Sequence, residues 1–179
     1  MTGFIPELTT RVSVEVDTSE IDNALSIVEG SEILSGMGLE DTLNTAKTRL
    51  ENVGKQLPKV IAENLRFNQE NIISSKHFKS GMMSQSVDLT SDGDDVLVGN
   101  TATSVDGFPY PLAIDKGSTS HWVAPNTFSA LHWTDGGGEY WSKGHMVSGI
   151  KADPFVDPSI EDTMYDIDQM LDEFIGDLI

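Results

Sequence analysis

The sequence predicts an α+β fold: a small antiparallel β-sheet packed against a long helix in the N-terminal half and a C-terminal amphipathic helix. Three observations predict it. Apolar residues recur every three or four positions from Leu39 to Ile72, and again from Ile160 towards the end of the chain. Between these blocks, short branched and aromatic runs are separated by Gly, Asp and Pro clusters at hairpin spacing. Near the start, Arg11 to Asp17 alternates strictly, with Val12, Val14 and Val16 on one face and Arg11, Ser13, Glu15 and Asp17 on the other.

That alternation predicts an N-terminal strand. In the following SEIDNALSIVEG, Ile21, Leu25 and Val28 fall at helical spacing and Ser19 is placed to cap them, before Gly30, Gly36 and Gly38 interrupt the chain. The long helical block places Leu43, Ala46, Leu50 and Val53 on one stripe, and Leu57, Ile61, Leu65 and Ile72 on its continuation. It reads as one helix or two nearly collinear ones. Proline inside a helix costs about 3 kcal/mol but is welcome in a first turn, so a break between Gly54 and Pro58 is the more economical reading.

Met82 to Leu89 and Val96 to Val98 flank the turn-rich Ser91 to Asp95, which predicts a β-hairpin. FPYPLAIDKG predicts a short helix starting near its prolines. Strands follow around Phe128 to Trp133 and Glu139 to Lys143, with Gly136 to Gly138 turning the chain. From Pro158 to Ile179, Ile160, Met164, Ile167, Met170, Leu171, Phe174 and Leu178 predict the last amphipathic helix, with Asp157 available as its cap.

Composition narrows the class of function. A chain of 179 residues with 38% hydrophobic content supports a globular core. It has no cysteine, which excludes disulfides and thiolate metal sites and is compatible with synthesis in a reducing cytoplasm. No basic leader opens the chain and no apolar run reaches the roughly 20 residues that span a bilayer, so a soluble protein without an export signal is expected. With 29 acidic and 11 basic residues the formal charge is −18, which repels nucleic-acid phosphates and anionic membranes. Such a surface suits a basic partner or a salty milieu; the excess of 17 Asp over 12 Glu leans towards a halophilic source, whereas 8 Lys against 3 Arg does not. After Lys151 the chain carries nine acidic residues and no basic one.

Residues that make and break bonds are scattered. His77, His121, His132 and His145 show neither HExxH nor His-x-His spacing, and His121-Trp122 and His132-Trp133 read as strand or interface pairs. No Gly-x-Ser-x-Gly elbow occurs; Ser118 and Ser148 are turn serines. Asp94-Asp95 and Glu161-Asp162 are pairs that an acidic chain produces by chance. Gly136 to Gly138 is flanked by Asp135 and Glu139, the wrong charge for a phosphate cradle, and so reads as a turn. No catalytic residue, metal ligand or cofactor is therefore assigned. A metal-dependent hydrolase using His121, His132 and His145, and an acidic module that mimics DNA, stand as alternatives of other classes.

Four short stretches recur in a telling order: Gly81 after the helices; Tyr110, Ala113, Ile114, Asp115, Gly117 and Ser118; Pro125, Ala130, Leu131 and Trp133; then Pro154, Phe155, Val156, Pro158 and Ser159. With the helices and hairpin between them, they resemble the tail-completion (neck, head–tail joining) proteins of long-tailed phages and related archaeal tailed viruses. The resemblance covers roughly residues 39–179, with Asp115 where the family has Glu and Ser159 where it has Ala; the usual basic balance of the C-terminal half is missing. It implies a division into an N-terminal extension, 1–38, with a strand and short helix, and a single tail-completion-like α+β domain, 39–179. It also implies a virion structural protein, made in the host cytoplasm, forming a ring of six copies that touches connector or adaptor proteins on one side and the tail terminator or tail tube protein on the other. A tail terminator or other minor tail protein is the alternative within that class. Gly81, Tyr110, Asp115, Gly117, Trp133, Pro154, Phe155 and Pro158 are the candidate subunit-contact or fold-anchor residues. Gly117 would allow a sharp turn, and Phe155 would anchor the last helix on the sheet. DNA would pass an acidic lumen without specific binding.

Overall fold

A computed structural model describes residues 4–77, 81–105 and 107–176, with the side chains of His77, Asp168, Met170 and residues 173–176 excepted. It is an α+β protein whose strands form small antiparallel sheets beside a long helix and a C-terminal helix. Two compact units can be distinguished: residues 1–102 with 156–179, and residues 103–155.

In the first unit, β1 (Thr9–Val12), β2 (Val87–Asp92) and β3 (Asp95–Asn100) form a sheet of order β1-β3-β2, antiparallel throughout. The β2–β3 hairpin closes on Asp92↔Asp95 through Gly93 and Asp94, and Gly93 takes the positive φ of +67° that this tight turn demands. Arg11 of β1 clamps that end with hydrogen-bonded ion pairs to Asp92 (2.6 Å) and Asp95 (2.7 Å). Register puts Val12, Val87, Val96, Val98 and Asn100 on one face, and all five are buried. Asn100 is satisfied there: its Nδ2 donates to the Met83 carbonyl and its Oδ1 accepts from the Ala102 amide. The expected N-terminal strand is thus present but ends at Val12. Val14 and Val16 keep the inward alternation without a partner strand.

Helix α1 (Ser19–Glu29) and the single turn α2 (Glu32–Ser35) lead into α3 (Leu39–His77). Ser19 is the first residue of α1 and not its cap; Asp17 accepts its amide at 2.9 Å, and that bond holds the Asp17 carboxyl below its ordinary pKa. The expected break between Gly54 and Pro58 is absent, and α3 runs unbroken for 39 residues. Pro58 is fully buried, so packing offsets its missing N–H. Gly54 is where Val16 presses on the helix; a Cβ there would run into the Val16 side chain. The buried stripe of α3 is Leu57, Pro58, Ala62, Leu65, Gln69 and Ile73; Leu57 and Leu65 were expected there, whereas Ile61 and Ile72 are only half-buried.

Met82–Gln85, expected as the start of a strand, form the short helix α4. Helix α6 (Val156–Gly176) begins earlier than expected, so Asp157 and Pro158 lie in its first turn, where proline sacrifices no hydrogen bond. Its buried stripe opens with Val156, Ser159 and Thr163, whereas Met164 is 66% exposed. These hydroxyls are small enough for close packing against α3 and are satisfied locally, Ser159 by Val156 O and Thr163 by Ser159 O; Asn68 of α3 donates to Thr163 at 3.1 Å. Leu178 and the side chains of Met170 and Phe174 lie outside the described residues.

The second unit holds helix α5 (Tyr110–Lys116) and two separate two-stranded ribbons. β4 (His121–Val123) pairs with β7 (His145–Val147), and β5 (Leu131–Asp135) pairs with β6 (Gly138–Ser142) through Gly136 and Gly137, both at positive φ. The β5–β6 hairpin was expected from the sequence; of β4 the sequence offered only His121-Trp122 as a strand or interface pair, and β7 was not expected.

Candidate assembly surface

The second stretch of the resemblance meets Phe155 of the fourth in one corner of the second unit. Helix α5 ends by turning Asp115 inward, where its side chain is wholly buried. Asp115 Oδ1 accepts the Phe155 amide at 2.8 Å, and Oδ2 lies 2.9 Å from Lys116 Nζ. The Asp153 amide donates to the Ile114 carbonyl at 2.9 Å. One step further, the Ser118 amide donates to Ile150 O at 2.8 Å while Ser118 Oγ accepts the Ile150 amide at 3.0 Å. Four hydrogen bonds thus lace residues 114–118 to 150–155.

Gly117 sits at the centre of this lacing with φ +77° and ψ 176°, a conformation that side chains avoid. A Cβ there would lie 2.8 Å from the Ala152 nitrogen and 2.9 Å from the Ile150 oxygen. It therefore serves both a turn and a close backbone approach. Of the other candidates, Phe155 is fully buried, Pro154 is exposed and Pro158 half-buried. Gly81 is buried at the start of α4 with φ +75°. Tyr110 opens α5 half-buried, and burial pushes its phenol pKa up.

Trp133 belongs to the ribbons. It stacks on its cross-strand partner Tyr140, with ring centroids 5.7 Å apart, and meets His145 of β7 at 4.9 Å. The β5–β6 ribbon therefore turns its Trp133/Tyr140 face towards the Val123/His145 face of β4–β7. Alternation along each strand then sends the next residues outward. On the β5–β6 ribbon these are His132 and Trp141, stacked at 4.2 Å, and on β4–β7 they are Trp122 and Met146. Trp141 is 66% exposed, Trp122 61%, Met146 57% and nearby Phe128 80%. Trp122 lies flat against Gly144, where a Cβ would be 2.6 Å from the indole. Phe128, Leu131, His132 and Trp141 border a concavity of about 590 Å³.

The three histidines of the hydrolase alternative have separate surroundings. His121 Nδ1 is 3.1 Å from Thr119 O, His132 stacks on Trp141 with Glu139 at 3.9 Å, and His145 packs on Trp133. Among the described residues, no group of three or more His, Asp or Glu side chains is placed to hold a metal ion, and no helix is long and apolar enough to cross a membrane.

Sequence reasoning chose Trp133 as a contact candidate and read His121-Trp122 as a strand or interface pair, but assigned no contact role to Phe128, Trp141 or Met146. Alternation in EYW and HMV was the signal that could have found Trp141 and Met146, but β7 is only three residues long; Phe128 lies outside the strands and had no such signal. No family model, curated protein or solved structure matches the chain.

Proposed function

We propose that the protein is a structural component of a virus particle: a tail-completion or head–tail joining protein of the neck, working as a ring of six copies between connector and tail tube. The reading starts from the four ordered stretches that resemble that family. The observation that carries it furthest is the division of labour in residues 103–155. Asp115, Gly117 and Ser118 there are consumed in lacing a corner, while Trp122, Phe128, Trp141 and Met146 are left outside, which favours contact with other chains over turnover. Acidic side chains facing a lumen would let DNA slide past without adhering.

Mass measurement of the purified protein and antibody labelling of intact particles test this reading. It expects a ring, and label at the junction of head and tail. A protein that is always monomeric and never found in particles refutes it.

A second reading is favoured by the charge distribution. Residues 103–155 contain five acidic and three basic residues, a formal charge of −2, so the remaining residues carry −16 of the total −18. An acidic module that mimics DNA would use that charge, and it predicts a monomer that binds a basic enzyme tightly at low salt.

A further inference from the structure

We propose that the copies join head to tail through the second unit alone, Trp122 and Met146 of one copy seating in the concavity bordered by Phe128, Leu131, His132 and Trp141 of the next. This rests on the ring reading and names its interface. Three observations carry it.

The first is that the two ribbons present distinct apolar surfaces. Because Trp133 meets His145, alternation directs Trp141 away from β4–β7 and Trp122 away from β5–β6, although Trp133 and Tyr140 keep 39% and 48% exposure themselves. One chain therefore offers two different patches on opposite sides of one unit. Contacts between unlike patches repeat from copy to copy, closing into a ring where the rotation between copies closes and running on as a filament where it does not, whereas a single self-complementary patch stops at a dimer.

The second is shape. The β5–β6 side is concave, about 590 Å³, within the roughly 300–1,000 Å³ that receives a compact apolar group. The β4–β7 side projects an indole held against Gly144, so little freedom is lost when it docks. Two-stranded ribbons are also marginal in water by themselves, and covering their outer faces supplies the missing layer.

The third is charge, which selects the occupant. Copies bearing −18 each repel one another, and that repulsion is least where residues 103–155 contribute only −2. All three tryptophans and three of the four histidines lie in this near-neutral segment. A second copy can approach there once salt shortens the screening length from about 10 Å at 0.1 M to about 3 Å at 1 M.

The test uses sedimentation velocity of the full chain in 0.1, 1 and 3 M KCl, with two variants at exposed positions, Met146→Glu on the projecting side and Phe128→Glu in the concavity. Near-ultraviolet circular dichroism checks that both remain folded. Expected are wild-type assemblies that grow with salt, and self-association weakened about 30-fold or more in each variant, the effect of losing a centrally buried contact. An equal mixture of the two variants keeps one good junction, from the intact projecting side of Phe128→Glu to the intact concavity of Met146→Glu. It should therefore form a dimer and nothing larger.

Rings that survive both variants, or that are dispersed instead by Ile33→Glu in α2, overturn this interface while leaving the ring reading intact. Variants that each still dimerise alone overturn the head-to-tail geometry. A wild type monomeric at every salt concentration removes the ring reading and this inference together. Ribbons that become protected only when a different protein is added identify another occupant, and overturn the proposal as well.

Discussion

Replacing Asp115 by alanine should unlace the corner formed by residues 114–118 and 150–155. The carboxylate is wholly buried, accepts the Phe155 amide at 2.8 Å and lies 2.9 Å from Lys116 Nζ. Truncation leaves the Phe155 N–H without its acceptor, a desolvation loss of about 1–3 kcal/mol, and removes a charged hydrogen bond of similar size. The two overlap, and Lys116 is half-exposed and can turn to water, so its share is small. About 3 kcal/mol is the expected net loss. Asp115→Asn keeps an oxygen for the Phe155 amide and forfeits mainly the pairing with Lys116, so about 1 kcal/mol is expected. Amide exchange of Phe155, read by NMR, separates the cases: at tenfold per 1.4 kcal/mol, alanine accelerates it about 100-fold and asparagine less than tenfold. Exchange in the alanine variant within threefold of wild type would refute the reasoning.

Gly117→Ala should cost about 3 kcal/mol or more, since strain at this φ is joined by contacts under 3 Å with the backbone of Ile150 and Ala152; an unchanged denaturant midpoint would contradict this. Gln69 is fully buried on α3 and neither of its amide atoms has a hydrogen-bond partner among the described residues, so Gln69→Leu should raise stability by about 1–3 kcal/mol, checked by urea denaturation. Gly54→Ala should destabilise the protein although alanine favours helices, because the stiff, branched Val16 cannot move aside; in a Val16→Ala background the same change should stabilise by up to about 1 kcal/mol, and a double-mutant cycle measures the reversal. Lys47 donates to Asp22 at 2.6 Å and holds that carboxyl below its ordinary 3.8, while Asp22 raises Lys47 above 10.5. A depressed carboxyl stabilises the fold above its unfolded pKa and stops doing so as pH falls through its folded value. A raised amine stabilises below its unfolded pKa and stops as pH rises through its folded value. The stability difference between wild type and Asp22→Asn should therefore be flat from about pH 4 to 10, shrink on either side and diminish with salt. A difference that grows in acid would count against the pair.

The elements legible in the sequence are those whose local signals agree with their packing. Gly93-Asp94 between branched runs set the first hairpin, Gly136-Gly137 the second, and Gly30 ended α1 as read, while the single turn α2 before Gly36 was not expected. Misreadings arose where tertiary packing overrode a local preference. Pro58 continues a helix because it is buried, and Ser159 and Thr163 occupy the buried stripe of α6 because back-bonding satisfies them, neither of which periodicity can reveal. Val14 and Val16 alternate like a strand, but with Val12 opposite Val96 and β3 beginning at Asp95 they run past the end of their partner. In the candidate surface, Asp115, Gly117 and Phe155 were found through the resemblance. Their convergence depends on a contact spanning 40 residues, which no local pattern encodes.

Helix α3 rises about 1.5 Å per residue, so its 39 residues make a rod of roughly 58 Å. Among the described residues, its buried side chains all lie beyond Val53, and the leading half is braced by Val16 at Gly54 and by Asp22 of α1 at Lys47. Mechanically this is a cantilever, rooted at one end and lightly braced at the other. A push on its leading end around Leu39 would reach the root as leverage, moving the rod against the sheet with little local yielding.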